Sequence, residues 1–195
     1  MIEQLYEPFQ HWAANGTIWL FSDPHFDDAQ IAGAMKDRPD AAQIVDILNK
    51  RVGSCDTLIC LGDVGNCEWI KKIRPKAYKV LIMGNHDDKG RAYYLQYFDE
   101  VYDGPVIISK KVILSHEPML QFDFMFNIHG HVHCPHYKNL ANEMNICIDA
   151  LDKIEPINLN KMFKRGGFSA TKKDIHRVTI DKAIKRKKNR EVNNA

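Results

Sequence analysis

Short apolar runs alternate with helical patterns along the first hundred residues of the chain. Runs rich in β-forming residues cover 17–22, 57–61 and 79–83, and they predict three buried strands. Asp40 stands before an apolar stripe that continues to about Arg51, which predicts a capped helix between the first two strands. Three more helices are predicted, at 2–13, 68–73 and 88–98.

The second half of the chain predicts mostly strands. The runs 106–108 and 112–114 are separated by only three residues and predict a hairpin. Two further strands are predicted at 124–128 and 145–148, and the apolar period fades after Pro156. Strands that alternate with helices at first, and then follow one another, are typical of an α/β sandwich with mixed sheets.

Length and composition fit a globular chain with one domain. The 195 residues are 45% hydrophobic and 27% charged. No apolar run approaches the roughly 20 residues that span a bilayer, so no membrane association is predicted. The five cysteines form no Cys-x-x-Cys pair, and no basic segment followed by an apolar one opens the chain. These features predict a cytoplasmic protein with free thiols.

Charge is distributed unevenly along the chain. Residues 161–195 carry 12 Lys and Arg against 3 Asp and Glu, whereas residues 1–160 carry 15 against 22. The predicted division is therefore a domain over 1–160, whose residues 1–16 form a peripheral arm or helix, and a basic extension over 161–195. A solvated, partly disordered terminus is the simpler interpretation of this extension, and binding of nucleic acid is the alternative.

Side chains that can bind metal follow five of the predicted strands. Ligands at the carboxyl ends of neighbouring strands converge on one edge of a sheet, where α/β proteins usually place their sites. The segments are Ser22-Asp23-Pro24-His25, Gly62-Asp63, Gly84-Asn85-His86-Asp87, Ser115-His116 and His129-Gly130-His131-Val132-His133.

A two-metal site accounts for these residue types. Two divalent ions about 3.5–4 Å apart need a carboxylate that bridges them, with neutral imidazole and oxygen donors around it. Glycines before Asp63, Asn85 and His131 allow the backbone to approach the ions closely. Because mixed oxygen and imidazole sets suit manganese, iron or zinc better than calcium, we expect two divalent ions, manganese first and iron, zinc or nickel as alternatives.

This series of motifs resembles the calcineurin-like metallophosphoesterase superfamily, over about residues 17–159. Within it, the chain is similar to the small single-domain phosphoesterases of bacteria and phages. The resemblance implies a four-layer α/β/β/α sandwich of two mixed β-sheets flanked by helices. It also implies that residues 1–160 are a catalytic domain and that the substrate is a phosphoester.

The resemblance implies a role for each candidate residue. His86 would face the substrate phosphate, and Asp87 would orient it by accepting its other ring proton. The implied reaction is attack on phosphorus by a metal-bridging hydroxide, with His86 as acid or charge stabiliser, which favours phosphodiesters slightly over phosphomonoesters. Seven residues would be metal ligands: Asp23, His25 and His133 for the first ion, Asn85, His116 and His131 for the second, and Asp63 for both.

Two further positions suggest substrate contacts. Arg38-Pro39 resembles an Arg-Pro of the small relatives, and Arg38 would either clamp a phosphate or form a surface ion pair. Asp27-Asp28 stands where those relatives often have Gly-His, which removes an imidazole and places the Asp28 carboxylate near the mouth of the site.

Two other functions stay open from the sequence. A nuclease or RNA-processing enzyme would use the basic extension to recruit a polyanion. A non-catalytic protein-binding scaffold is also known for this fold, and such chains tend to lose ligands or the imidazole after the Asn, whereas this chain keeps them. The sequence predicts no particular oligomeric state.

Overall fold

The computed structural model describes residues 4–35, 37–119, 125–166, 168 and 184–185. The strands are β1 (Ile18–Phe21), β2 (Thr57–Cys60), β3 (Tyr78–Ile82), β4 (Glu100–Tyr102), β5 (Val106–Ile107), β6 (Val112–Leu114), β7 (Phe126–His129), β8 (Glu143–Asn145) and β9 (Ile157–Asn158). The α-helices are α1 (Ala29–Ala34), α2 (Ala41–Asn49), α3 (Arg91–Tyr94) and α4 (Leu159–Arg165), and 3₁₀ helices cover Glu7–Ala13 and Cys67–Lys72.

The strands form two mixed sheets. The first has the order β4-β3-β2-β1-β9, in which β1 to β4 are parallel and β9 runs antiparallel to β1. The second has the order β5-β6-β7-β8, in which the β5–β6 hairpin is antiparallel and β6, β7 and β8 are parallel. The predicted α/β sandwich of two mixed sheets with flanking helices is therefore confirmed, as is the hairpin.

Each face of the first sheet packs on its own apolar core. Leu20 and Ile59 point towards the second sheet and share a buried cluster with Leu114. Leu58 points the other way and packs with Ile44 of α2. Because both faces are covered, the side chains on both faces of β1, β2 and β3 are buried at most positions, which explains their apolar runs.

The helix α2 begins where the sequence predicts it. The Asp40 carboxylate accepts a hydrogen bond from the Gln43 backbone N–H at 2.8 Å, and the Gln43 side chain accepts one from the Asp40 N–H at 2.9 Å. This reciprocal capping box satisfies two donors that the first turn would leave unpaired. Its apolar stripe, which includes Ile44 and Leu48, lies against the first sheet.

Three predicted helices have a different form. Of the predicted helix 2–13, residues 2 and 3 lie outside the described residues and Glu7–Ala13 is a 3₁₀ helix with Pro8 in its first turn. The predicted helix 68–73 is the 3₁₀ helix Cys67–Lys72. The helix predicted from Asp88 is only the single turn α3, because Gly90 with a φ of 73° stands at its start. The helix α1 carries no buried residue and was not predicted, since it lacks an apolar stripe.

The predicted strand 145–148 is shifted. The strand β8 ends at Asn145, whose side chain accepts a hydrogen bond from the Cys147 N–H at 3.0 Å and donates one to the Val132 carbonyl at 2.8 Å. Beyond β8, the Ile146 N–H still donates to the His129 carbonyl at 2.7 Å, and Cys147 forms an isolated parallel bridge with Ser22. The strand predicted at 124–128 is observed as β7, and Phe124 lies outside the described residues.

The predicted domain boundary at residue 160 falls inside α4. Phe163 of this helix and Phe168 beyond it both belong to the core between the sheets. The first residues of the basic extension are thus packed on the domain, and the division at 160 stays a prediction. Among the described residues, no helix combines the length and the apolarity needed to cross a bilayer.

Candidate metal centre

The turns after the strands bring the seven predicted ligands together in two adjoining clusters. Ligand atoms of Asp23, His25, Asp63 and His133 lie within 4.8 Å of one another, and so do those of Asp63, His116 and His131. The Asn85 side-chain oxygen completes the second cluster, at 2.9 Å from His116 Nε2 and 3.0 Å from His131 Nδ1.

Asp63 belongs to both clusters. Its Oδ2 lies 3.3 Å from His25 Nε2 in the first cluster and 3.4 Å from His116 Nε2 in the second. Its Oδ1 accepts a hydrogen bond from the His86 backbone N–H at 3.0 Å. A carboxylate between two sets of imidazole and oxygen donors has the position that a bridging ligand requires.

The donor set fits divalent metal ions. His25 Nε2 is buried and has no hydrogen-bond partner among the described residues, although the Asp63 carboxylate is close by. A buried ring nitrogen without a hydrogen-bond partner costs free energy, unless a ligand such as a metal ion binds to it. Imidazole nitrogens with carboxylate and amide oxygens suit manganese, iron or zinc.

The backbone of the clusters is strained. Four candidate ligands that are not glycine have positive φ, namely Asp23 (58°), His25 (40°), Asp63 (54°) and His131 (65°). Each such residue costs on the order of 1–3 kcal/mol, and strain of this kind concentrates at functional sites. In this backbone conformation, the four side chains leave the direction of their strands and point towards the two clusters.

Two glycines allow the turns to pack closely. A Cβ at Gly84 would overlap the Asp63 carboxylate, and one at Gly130 would overlap both Ser22 and the Asp23 carboxylate. The predicted close approach of backbone to the site is therefore confirmed at these two positions.

Three candidate ligands are oriented by partners on their other ring nitrogen. His116 Nδ1 lies 2.7 Å from the Leu61 carbonyl, and His25 Nδ1 lies 3.2 Å from Asp28 Oδ2. His133 Nδ1 lies 2.7 Å from Asp149 Oδ2. An acceptor at Nδ1 keeps the proton there, which leaves Nε2 as the metal-binding nitrogen.

Asp149 is a residue of the site that the sequence analysis missed. It follows the predicted strand 145–148 directly, so the pattern of a carboxylate after a strand could have identified it. The Asp149 carboxylate, with Asp23 and Cys147, raises the pKa of His133 to about 12. Burial opposes ionisation of Asp149, but its bonds to His133 and Arg38 outweigh this and lower its pKa.

Asp87 has partners other than the predicted one. Its Oδ2 accepts hydrogen bonds from the N–H groups of Asp63 and Gly84, both at 2.8 Å, and its Oδ1 accepts one from Val64 at 3.0 Å. No bond joins Asp87 to the His86 ring within the described residues, and the orienting role of Asp87 stays a prediction. Burial raises the pKa of Asp87, and the three backbone bonds offset this in part. Asp87 fastens the turn after β2 to the turn after β3.

His86 lies at the surface of the site. His86 is exposed, and the centroid of its ring lies 5.4 Å from the centroid of the His25 ring. Within the described residues, the ring makes no hydrogen bond, so both ring nitrogens are free to meet a bound molecule.

Arg38 and Asp28 also have structural partners. The Arg38 side chain is 5% exposed and binds Asp149 and the carbonyls of Asp23 and Pro24. Arg38 thus forms an ion pair that is buried and not at the surface, and its predicted contact with a phosphate stays a prediction. Asp28 caps α1 and faces His25, and its predicted substrate contact stays a prediction.

A cavity of about 380 Å³ opens beside the second cluster. It is lined by Asn85 and His116, by the apolar side chains of Met83 and Met119, and by the carboxylate of Glu117. A larger cavity, of about 960 Å³, lies between the first 3₁₀ helix and the loops around Cys55 and Lys76, and contains none of the seven candidate ligands. A third cavity, of about 230 Å³, lies beside the first cluster and is lined by His25, Asp28 and Arg38. The cavities of about 380 and 230 Å³ could each receive part of a molecule bound at the metals.

Two solved structures resemble that of the protein. The structure is similar to that of a protein of unknown function, AQ665, from Aquifex aeolicus, with a TM-score of 0.64 and 26% sequence identity over 77% of this chain and 100% of that chain. It also matches a variant of Vps29 from Entamoeba histolytica, with a TM-score of 0.41 and 16% identity over 70% of this chain and 80% of that one. No match was found among curated proteins.

The sequence model of one family covers nearly the whole chain. The model for calcineurin-like phosphoesterases matches residues 16–192. The match includes all seven candidate ligands, and the structure brings these residues together as two adjoining clusters. The chain therefore belongs to the calcineurin-like phosphoesterase family.

Proposed function

We propose that the protein is a phosphoester hydrolase with two divalent metal ions and a preference for phosphodiesters. Family membership and the Asp and His clusters support a metal-dependent phosphoesterase. The observation that carries the two-metal proposal is the position of Asp63, whose carboxylate is shared by both clusters.

The chain's own residues prepare the site for a phosphate group. Two bound divalent ions would activate water and neutralise the charge of the phosphoryl oxygens. The residues that hold the ions lie at the base of the site, with Asp23, His25, Asp63 and His116 all buried. Their position leaves the approach to the ions open from the side of Asn85 and His86, which are exposed.

His86 is the proposed acid for the leaving group. When an alkyl phosphodiester is hydrolysed, the P–O bond to one alcohol breaks, and the departing alkoxide is a poor leaving group that needs a proton. The ring of His86 stands beside His25 at the exposed side of the site. A group in this position can donate a proton to the leaving oxygen, and this supports the preference for diesters.

A substrate and metal panel tests the proposal. Metal-free protein is mixed in turn with Mn²⁺, Fe²⁺, Zn²⁺ or Ni²⁺, and with bis-p-nitrophenyl phosphate or p-nitrophenyl phosphate. We expect turnover with Mn²⁺ and faster turnover of the diester. Absence of turnover for both substrates with all four ions would refute the proposed hydrolase and favour a scaffold role.

Replacement of His86 separates the acid from the metal site. We expect His86→Ala to bind both ions as the wild type does and to lower kcat for a diester with an alkyl leaving group on the order of 10²–10⁴-fold, because general acid catalysis of alkoxide departure is lost while the ligands remain. Steady-state kinetics and metal analysis of the same samples measure this. His136→Ala is the matched control, since the His136 side chain is 87% exposed and pairs with Asp152 outside both clusters. Unchanged kcat in His86→Ala would contradict the acid role.

A second candidate function is processing of nucleic acid. It is favoured by the balance of +9 over residues 161–195, against −7 for the rest of the chain. Residues 185–188 are four consecutive cations, Lys-Arg-Lys-Lys. In this case, the basic extension would hold the polyanion while the acidic domain carries the metals.

Neutralising part of the extension tests this candidate. We expect the double variant Lys187→Gln/Lys188→Gln to bind single-stranded RNA more weakly, and to reduce the slope of log affinity against log salt by about 1.4, since each phosphate contact contributes about 0.7. Fluorescence anisotropy at several salt concentrations measures both. The matched control is Lys110→Gln/Lys111→Gln, which removes two exposed cations from the hairpin. An equal effect of the two double variants would exclude a specific role for the extension.

A further inference from the structure

Arg38 and Asp149 form a buried ion pair behind the first ligand cluster. Their side chains are 5% and 6% exposed. Asp149 Oδ2 accepts a hydrogen bond from Arg38 Nη1, and the same oxygen lies 2.7 Å from His133 Nδ1. A single carboxylate oxygen therefore joins the guanidinium group to the imidazole of a candidate ligand.

Arg38 also holds the turn that carries two other candidate ligands. Its Nη2 donates hydrogen bonds to the carbonyl oxygens of Asp23, at 2.7 Å, and Pro24, at 2.8 Å. Both Asp23 and His25 have positive φ in this turn. Since residues other than glycine adopt this conformation only when the surrounding structure holds them, the two bonds from Arg38 help to maintain it.

We propose that Arg38 and Asp149 are positioning residues of the first metal site, which set its affinity without touching substrate. Together they fix three of its four candidate ligands: Asp149 orients His133, and Arg38 fixes the turn of Asp23 and His25. The second cluster has no contact with this pair in the described residues. The inference rests on the proposed two-metal site and gives Arg38 a role other than binding phosphate.

The charges of the pair suit this role. A carboxylate at Nδ1 makes the imidazole of His133 a stronger metal ligand at Nε2, which lies 3.4 Å from Asp23 Oδ1. A further negative charge beside Asp23 and Asp63 would be unfavourable, and the Arg38 guanidinium compensates it. The planar guanidinium donates to the carboxylate through Nη1 and to the two carbonyls through Nη2. A lysine ammonium has its three donors on a single nitrogen and cannot occupy both of these positions.

Another interpretation of the same residues is a separate ion site. Ligand atoms of His133, Cys147 and Asp149 lie within 4.8 Å of one another, and Cys147 Sγ is 3.5 Å from His133 Nδ1. Arg38, however, already places a cation on the Asp149 oxygen that such an ion would need. Repulsion between the two cations argues against this site and in favour of the positioning role.

Titration of metal-free protein with Mn²⁺ tests the proposal. Isothermal calorimetry gives the number and affinity of the ions, and electron paramagnetic resonance distinguishes a coupled pair from single ions. For Asp149→Ala and for Arg38→Gln we expect one ion to bind as in the wild type and the other 10–100-fold more weakly, with the coupled signal appearing only at higher Mn²⁺. Asp149→Asn should restore part of the affinity, because its amide oxygen still accepts from His133. Arg38→Lys should not restore it.

The control is Asp152→Ala, which removes a nearby carboxylate whose side chain is 89% exposed and should leave both affinities unchanged. Unchanged affinity for both ions in Asp149→Ala, equal weakening of both ions, full rescue by Arg38→Lys, or a third ion in the wild type would each overturn the proposal. If circular dichroism shows that Asp149→Ala is unfolded, the metal affinities of the conservative variants Asp149→Asn and Arg38→Lys test the proposal instead. A wild type that binds fewer than two ions would instead refute the proposed two-metal function, and this inference with it.

Discussion

Replacing Asp63 with asparagine is expected to remove both metal ions and to reduce hydrolysis to the level of the metal-free protein. The Asp63 carboxylate lies within 3.4 Å of ring nitrogens in both clusters, so each cluster loses one negative charge when Asp63 is replaced. Substitution of a residue that only orients a ligand already weakens metal binding about 10–100-fold. Substitution of a ligand shared by two ions should therefore weaken the binding of each ion by at least about 100-fold. Calorimetric titration with Mn²⁺ and the diesterase assay measure the two effects.

Asp23→Asn is the comparison that isolates the bridging role. Asp23 belongs to the first cluster only, so the same chemical change there should weaken one ion and leave the other bound. Both variants should stay folded, since asparagine has the shape of aspartate and at position 63 its oxygen can still accept the His86 N–H. If Asp63→Asn loses only one ion, Asp63 does not bridge, and the two-metal proposal needs another shared ligand.

The second large effect is expected on stability, for Asp87→Ala. Three backbone N–H groups, from Asp63, Val64 and Gly84, would lose their acceptor in a buried place. Each unsatisfied buried donor costs about 1–3 kcal/mol, so the free energy of unfolding should fall by about 3 kcal/mol or more. Urea denaturation of metal-free protein measures this loss without any contribution from bound ions.

Asp88→Ala provides the control for Asp87. The neighbouring aspartate is exposed, and its loss should change the free energy of unfolding by less than about 0.5 kcal/mol. The loss of unfolding free energy in Asp87→Asn should lie between the losses in Asp88→Ala and Asp87→Ala. The amide oxygen of asparagine can still accept a hydrogen bond, while its NH₂ group faces a backbone donor. If Asp87→Ala were as stable as wild type but inactive, Asp87 would act in the reaction and not as the fastening of the two turns.

The strands and the candidate ligands could be predicted because each is marked locally. Buried strands such as β2 and β3 are nearly continuous apolar runs, and Asp63 and Asn85 follow them after a glycine. Parallel neighbours bring such positions to one edge of a sheet, so a linear pattern was sufficient to place them together. The helix α2 could also be predicted, since the two residues of its capping box, Asp40 and Gln43, lie within four positions of the sequence.

The short and irregular elements could not be predicted in the same way. The helix α3 is one turn and β9 is two residues long, too short for any periodicity to be visible. At Asn145, where β8 ends, the side chain donates a hydrogen bond to the Val132 carbonyl, 13 positions away in the sequence. Such elements form because of the surroundings they meet in the folded protein, and their sequence alone does not specify them.

The sequence by itself determined the family, the sheet-edge location of the site and the identity of its candidate ligands. The tertiary structure decided which residues stand behind those ligands. Asp87 binds three backbone N–H groups, while Arg38 reaches Asp149 across 111 positions of the chain. The physical reason is that a ligand type follows from its own chemistry, whereas a hydrogen-bond partner depends on distances that exist only after the chain has folded.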